Sequence, residues 1–307
     1  MKKLNTIGII GLGALGVMYA WHLTGALGKE SVVAIADRAR LDRYESEGLF
    51  FNGEKCDFHY VDIERPEDGP AVDLLMICCK YGQLREVAES VRAWVRPETV
   101  IISVLNGVVS EKDLREIYPA DQVIDCVARK MSAVKEGPRV TAITPGELVI
   151  GPETPSQREN AAAAADILKR AHFPYVLTED IEKEMWGKLL CNVGCNQAAF
   201  VYETTYSGMQ AEGEIRRMMI GAMRETAAVA QAMGIDLSEK DVVFWTGVID
   251  ALDPTGEPSM RQDGRAHRPS EVALFAGTVS RLGRDTGVPT PINDEWYRII
   301  REREARY

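Results

Sequence analysis

Residues 184–200 read EMWGKLLCNVGCNQAAF, and Lys188, Asn192 and Asn196 recur there at every fourth position. On a helix of about 3.6 residues per turn this spacing stacks the three side chains on one face, each a turn above the last. Trp186, Leu189, Leu190 and Val193 project elsewhere. A solvent face is ordinarily richer in Glu, Lys and Arg, whereas this one is a single ammonium and two amides among Cys, Gly and Ala. An ammonium donates hydrogen bonds and protons, and an amide both donates and accepts. Such a face suits the wall of a polar cavity. The plainer alternative is a structural helix whose amides satisfy neighbouring backbone and whose lysine snorkels to water.

A second chemical signal lies near the start. IIGLGALG supplies Gly11, Gly13 and Gly16 in G-x-G-x-x-G spacing, directly after a strand-like run and opening a helix-like one. The first glycine makes a tight turn, the second lets backbone amides approach a pyrophosphate, and the third lets helix and strand pack closely. The helix N-terminus adds partial positive charge for the anion. Gly11, Leu12, Gly13, Ala14, Leu15 and Gly16 are therefore the expected cradle of a dinucleotide. Asp37 ends the second strand about 20 residues on, where a carboxylate accepts from ribose hydroxyls, repels a 2′-phosphate and favours NADH; Arg38 and Arg40 follow within reach to offset that repulsion. Lys80 ends LLMICC and Asn106 ends VIISVL, at strand ends where open α/β sheets hold ligands. Turn chemistry accounts for either residue alone. With the Lys188 face, they point to the nicotinamide end of the cofactor.

These residues need elements to position them. The apolar runs at 6–10, 32–36, 72–79 and 100–105 are typical of parallel strands buried on both faces, and helix-period segments separate them. That alternation predicts an α/β fold, an N-terminal Rossmann-type doubly wound parallel sheet. Hairpin-like strands within 121–150 are expected to extend the sheet, with a helix through the alanines at 161–165. Beyond Thr178 only helical periods appear, at 181–200, 211–233, about 239–251, 269–286 and 293–306, with DPTGEPSMRQDG as the long break. The expected organisation is a dinucleotide-binding domain over residues 1–178 and an all-α domain over 179–307.

A net charge of −10 argues against nucleic acid or an anionic membrane as partner, since both reward basic patches. The leading MKKLNTIGIIGLGALG resembles a signal segment, but its glycines split the apolar run into a strand and a helix. The six cysteines show no C-x-x-C pair and no zinc-ligand spacing, and several sit inside apolar runs; a reducing cytoplasm and no metal are expected. Monomer and homodimer both remain open.

GLGALG, CCKYGQ, LNGV, WGKLLCNVGCNQ and PSMRQDGRAHRPSEV occur in the order and at roughly the spacing of the ketopantoate reductases, and the chain resembles that family over nearly its whole length. The resemblance implies NADPH-dependent reduction of 2-dehydropantoate to D-pantoate, a step toward pantothenate and coenzyme A. It makes Lys188 the proton donor to the substrate carbonyl and places Lys80 and Asn106 at the border of nicotinamide and substrate. It gives Asn192, Asn196 and Ser259 to substrate binding and lets Glu271 complete the catalytic set. Elementary chemistry agrees: hydride delivery builds charge on the carbonyl oxygen, which an ammonium stabilises and then protonates. Glu271 has a second reading as a first-turn helix acid behind Pro269, and Asp263 as a turn former. His267 lacks the acid partner that histidine catalysis needs.

The chain departs from the family at Ala273 and Ala276-Gly277, and at Asp37, where a basic residue is usual. NADP and NAD therefore both stand as cofactors, with Asp37 favouring NADH. Two other functions compete: an NAD-dependent D-2-hydroxyacid dehydrogenase acting on another branched 2-keto acid, and a non-catalytic NAD(P) sensor.

Overall fold

The computed structural model describes residues 2–307. The strands are β1 (Ile7–Ile10), β2 (Val32–Ala36), β3 (Phe50–Phe51), β4 (Glu54–Lys55), β5 (His59–Asp62), β6 (Leu74–Ile77), β7 (Val100–Ser103), β8 (Val123–Arg129), β9 (Ala133–Glu136), β10 (Arg139–Ala142), β11 (Glu147–Gly151) and β12 (Tyr175–Leu177). The helices are α1 (Ala14–Leu27), α2 (Arg38–Glu47), α3 (Leu84–Ser90), α4 (Ser110–Arg115), α5 (Arg158–Arg170), α6 (Ile181–Val201), α7 (Tyr206–Gln210), α8 (Glu214–Ala232), α9 (Glu239–Asp250), α10 (Ser259–Arg265), α11 (Ala276–Thr286) and α12 (Pro291–Glu304). The chain divides into one compact unit ending at Ile181 and a second of Glu182–Tyr307. No helix among the described residues is long and apolar enough to cross a membrane.

In the first unit the main sheet runs β12-β11-β8-β7-β6-β1-β2-β5 and is parallel except where β11 meets β8. Strand sequence dictates its two-sided burial. Ile7, Ile9, Val32, Ala34, Leu74 and Met76 enter a core shared with Val17, Met18 and Leu23 of α1 and Ile167 and Leu168 of α5. Their neighbours Ile10, Val33, Ile35, Leu75 and Ile77 enter the opposite core with Leu84 and Ala88 of α3 and Leu114 of α4. Period-two alternation of wholly apolar residues thus fills both faces, each buried side chain contributing about 1.5–3 kcal/mol. The chain winds one way from β1 through β2 and restarts at β6 on the other side, so the topological switch lies between β1 and β6.

The expectation that residues 121–150 all extend this sheet needs correcting. β8 and β11 do, but β9 and β10 join β3 and β4 in a separate four-stranded sheet. The reason is amphipathicity: β9 alternates half-buried Ala133 and Lys135 with exposed Val134 and Glu136, so only one of its faces is suited to packing. β3, β4 and β5, of two to four residues, are too short to announce themselves by period.

The second unit contains helices only, among the described residues. α8 packs against α7, α9, α11 and α12. α6 is locked in by close approach, since a Cβ on Gly194 would lie 2.6 Å from Met223 of α8 and one on Gly187 2.9 Å from Trp245 of α9. Glu225 of α8 caps α12, its carboxylate accepting from the Ile292 and Asn293 backbone N–H groups at 2.8 and 3.0 Å. Two sequence expectations shift. α10 forms inside the Pro/Gly-rich break, and the helix expected over 269–286 begins only at Ala276. That start is set from outside, by the Gln197 side chain of α6 accepting from the Ala276 N–H at 2.9 Å.

Candidate active site

The candidate residues fall into one set in each unit. In the first unit they stand at the carboxyl edge of four adjacent strands. Ile10 of β1 is level with Ile35 of β2 and Ile77 of β6, and Ile77 with Ser103 of β7. The glycine loop directly follows β1, Asp37 directly follows β2, and Lys80 and Asn106 each lie three residues beyond their strands. The register therefore aligns all four positions along one edge, astride the switch point.

The three glycines separate by role. Gly11 has φ +93°, and a Cβ there would meet the Cys78 carbonyl carbon and Cys79 nitrogen at 2.7 Å. A Cβ on Gly16 would collide with the Gly11 carbonyl oxygen. Both are demanded by the fold itself. Gly13, the N-cap of α1, is different: a Cβ there would find nothing within 4 Å. No protein contact requires glycine at Gly13, and the open space lies where α1 presents its first N–H groups. This is the shape a pyrophosphate fits.

Asp37 is engaged within α2. Its Oδ1 accepts the Arg40 backbone N–H at 2.8 Å as the helix N-cap, and its Oδ2 accepts from the Arg40 guanidinium. Arg38 is turned along the helix, donating to Asp42 at 2.7 Å and Glu45 at 3.1 Å. The acid expected to read a ribose and the base expected to read a phosphate both have intramolecular partners. Sequence reasoning passed over Lys135, which donates from Nζ to the Leu12 carbonyl at 2.6 Å. Its only sequence signal is the alternation of β9, which puts it on the packed side with Ala133.

In the second unit α6 carries two faces. Asn192 and Asn196 lie within about 80° of Lys188 around the axis, whereas Gly187, Val193, Gly194 and Gln197 fall on the other side, toward α8, α9 and α11. Asn192 and Asn196 are buried, at 4% and 7% exposure. The Asn196 amide donates to Asn192 Oδ1 at 3.3 Å, and Asn196 Oδ1 accepts from the Ser259 hydroxyl at 3.1 Å and the Met260 N–H at 3.3 Å. The structure thus brings Asn192, Asn196 and Ser259 together, with Lys188 one turn before. Lys188 is half-buried, and no carboxylate among the described residues lies within ion-pair distance of it. Burial pushes the flanking Cys191 and Cys195 thiols up, against the opposing pull of the Lys188 charge, so they stay protonated beside it.

Glu271 occupies a turn ahead of α11, not its first helical turn; its carbonyl accepts from the Leu274 and Phe275 N–H groups. The helix-dipole reading therefore loses its basis. Gln197 ties this turn to α6 next to Asn196. Asp263 is a buried helical acid paired to Arg268 at 2.8 Å, not a turn former. His267 is exposed and stacks on Tyr307, with ring centroids 4.9 Å apart.

A two-domain α/β nucleotide fold with a lysine–diamide helix defines a class of nicotinamide-type oxidoreductase architectures. Comparison narrows it. The family described as ketopantoate reductase PanE/ApbA matches residues 7–154, and its C-terminal counterpart matches residues 180–304. The chain belongs to the ketopantoate reductase family. The 2-dehydropantoate 2-reductase of Streptococcus pyogenes serotype M3 is 23% identical over 301 residues, 97% of each chain. A crystal structure of a PanE/ApbA family ketopantoate reductase from Ralstonia eutropha JMP134 is 25% identical, with a TM-score of 0.85 over 98% of this chain and 99% of that one. A ternary structure of D-mandelate dehydrogenase with NADH and anilino(oxo)acetate shares the fold, with a TM-score of 0.88 at 22% identity over 98% and 99% of the chains.

Proposed function

We propose that this protein reduces 2-dehydropantoate to D-pantoate with NAD(P)H, the reaction for which its relatives are named. The observation that carries the reading is Lys188, a half-buried ammonium with no carboxylate partner on the face that holds Asn192, Asn196 and Ser259. The glycine loop, with Gly13 open and Gly11 and Gly16 closed, supports the cofactor half.

The nicotinamide, when bound, supplies a hydride. Lys188 stabilises the negative charge that grows on the keto oxygen and gives up a proton to it, leaving a neutral amine that regains a proton from water. The products are a 2-hydroxy acid and the oxidised cofactor. Asn192 and Asn196 offer amides to substrate hydroxyl and carbonyl groups, the Ser259 hydroxyl offers a donor to the carboxylate, and Glu271 offers an acceptor to a substrate hydroxyl. Lys80 and Asn106 border nicotinamide and substrate. In this reading the first unit holds the dinucleotide and the second supplies the catalytic lysine.

Dual cofactor use follows, with a slight preference for NADH. The Asp37 carboxylate repels a 2′-phosphate, and Arg40 offsets part of that charge. Asp37 also favours the second reading, an NAD-dependent D-2-hydroxyacid dehydrogenase for another branched 2-keto acid. Comparing kcat/KM for 2-dehydropantoate, 2-ketoisovalerate and 2-ketoisocaproate with each cofactor tests both. The first reading expects 2-dehydropantoate to lead; a lead by either other acid transfers the assignment, and cofactor binding without turnover of any acid marks a sensor.

A further inference from the structure

Lys135 stands beside the glycine loop, and the charge of Arg43 on α2 acts on it. Phe51 of β3 packs on Trp21 of α1 with ring centroids 5.6 Å apart, and Val140 of β10 is buried in the same core. This seats the four-stranded sheet on α1 and carries Lys135 to the loop, where its Nζ donates to the Leu12 carbonyl at 2.6 Å. Burial lowers the Lys135 pKa from the ordinary lysine value, and the nearby Arg43 charge lowers it further. Among the described residues neither Lys135 nor Arg43 has a carboxylate within ion-pair distance.

In α2, Asp42 and Glu45 pair with Arg38, the N-cap Asp37 pairs with Arg40, and the exposed Glu47 lies outside ion-pair distance of Arg43. Like charges that act on each other, one of them half-buried, are stabilised when an anion joins them. One of Lys135's three N–H groups is used on Leu12, the residue between Gly11 and the open Gly13.

We propose that Lys135 and Arg43 form a cationic clamp beside the glycine loop that binds a phosphate group of the dinucleotide, so that the small second sheet is part of the cofactor site. The proposal rests on reading the first unit as a dinucleotide site. Pyrophosphate and 2′-phosphate share the chemistry the clamp recognises, and the two cofactors distinguish them.

The test is the dissociation constant for NADH and for NADPH, measured by fluorescence titration on the full chain at low and moderate salt, for wild type, Lys135→Gln, Lys135→Arg and Arg43→Gln. Arg43 is exposed on α2, so its variant does not threaten the core. Lys135→Gln and Arg43→Gln are expected to weaken NADPH binding at least about tenfold and to flatten its salt dependence, while Lys135→Arg stays near wild type. Equal losses for both cofactors assign the clamp to the pyrophosphate; a loss confined to NADPH assigns it to the 2′-phosphate. Affinities within about twofold of wild type in both Gln variants overturn the clamp. So does Lys135→Arg falling as far as Lys135→Gln with a lowered Tm, because Lys135 then only fastens the Leu12 carbonyl. Wild-type protein that binds neither cofactor sinks the dinucleotide reading itself.

Discussion

Replacing Gly13 with Ala separates what the fold needs from what the ligand needs. The backbone at Gly13, φ −73° and ψ −159°, is open to any residue, and the added methyl meets no protein atom within 4 Å. Less unfolded-state freedom stabilises such a substitution by about 0.4–1 kcal/mol. Alanine is a poorer N-cap than glycine, which costs about 0.5–1 kcal/mol. The two nearly cancel, so Tm should stay within about 3 °C of wild type. In the proposed function the methyl fills the space a pyrophosphate takes, and the dissociation constants for NADH and NADPH should rise at least about tenfold, or about 1.4 kcal/mol. Gly11→Ala is the control. It forces alanine to φ +93°, at about 1–2 kcal/mol, and drives its Cβ against the backbone of Cys78 and Cys79, so Tm itself should fall. Thermal unfolding without cofactor and fluorescence titration with it read the two effects separately. If Gly13→Ala binds both cofactors as tightly as wild type, or unfolds as early as Gly11→Ala, the division of labour among the glycines is wrong.

Lys188→Ala should lower kcat by about 10²–10⁴-fold while sparing cofactor affinity and Tm, because no ion-pair partner is orphaned; near-normal kcat in the folded variant would remove it as proton donor. Glu271→Gln should raise KM for a hydroxylated 2-keto acid more than for a non-hydroxylated one, and equal changes would end the hydroxyl contact. Asp37→Ser keeps a capping side chain, removes the repelling charge and releases Arg40. It should shift the kcat/KM ratio toward NADPH about tenfold, and an unchanged ratio would show that Asp37 does not face the ribose. Glu111 is buried at 1% exposure, and burial, with the Asp125 charge, raises its carboxyl well above the usual range. The protonated form is therefore favoured in the fold. Its contribution is complete below the ordinary carboxylate pKa and is lost as pH rises toward the folded value. Glu111→Gln should accordingly gain Tm over wild type at pH 9 relative to pH 5, and a pH-independent difference would show that Glu111 is ionised in the fold.

What the sequence disclosed follows its periodicity. β1, β2, β6 and β7 were legible because uninterrupted apolar runs bury both faces, and the glycine spacing located the loop between the first strand and helix. The Lys188, Asn192 and Asn196 face was legible because helical spacing converts directly to geometry. Short or externally held pieces were not. α10 hides in a Pro/Gly-rich segment where Asn196 accepts from the Ser259 hydroxyl and the Met260 N–H, and α11 starts where Gln197 pins it. Lys135 was invisible because its importance comes from a contact 123 positions away in sequence. Asp37 was recognised as a position, but its cap and its pairing to Arg40 depend on side-chain conformation, which no motif encodes.

The two faces of α6 also bear on how such a protein changes over generations. The side with Gly187, Gly194 and Gln197 builds the unit, while the side with Lys188 and Asn192 leaves the packing against Met223 and Trp245 untouched. Exchanging the half-buried Lys188 thus leaves the packing of the helix that carries it in place. The two amides differ from Lys188, since Asn192 is buried and accepts the Asn196 amide at 3.3 Å. The Asn196 carbonyl holds Ser259 and the start of α10, so exchanging either amide alters the Lys188 face and the scaffold in a single step.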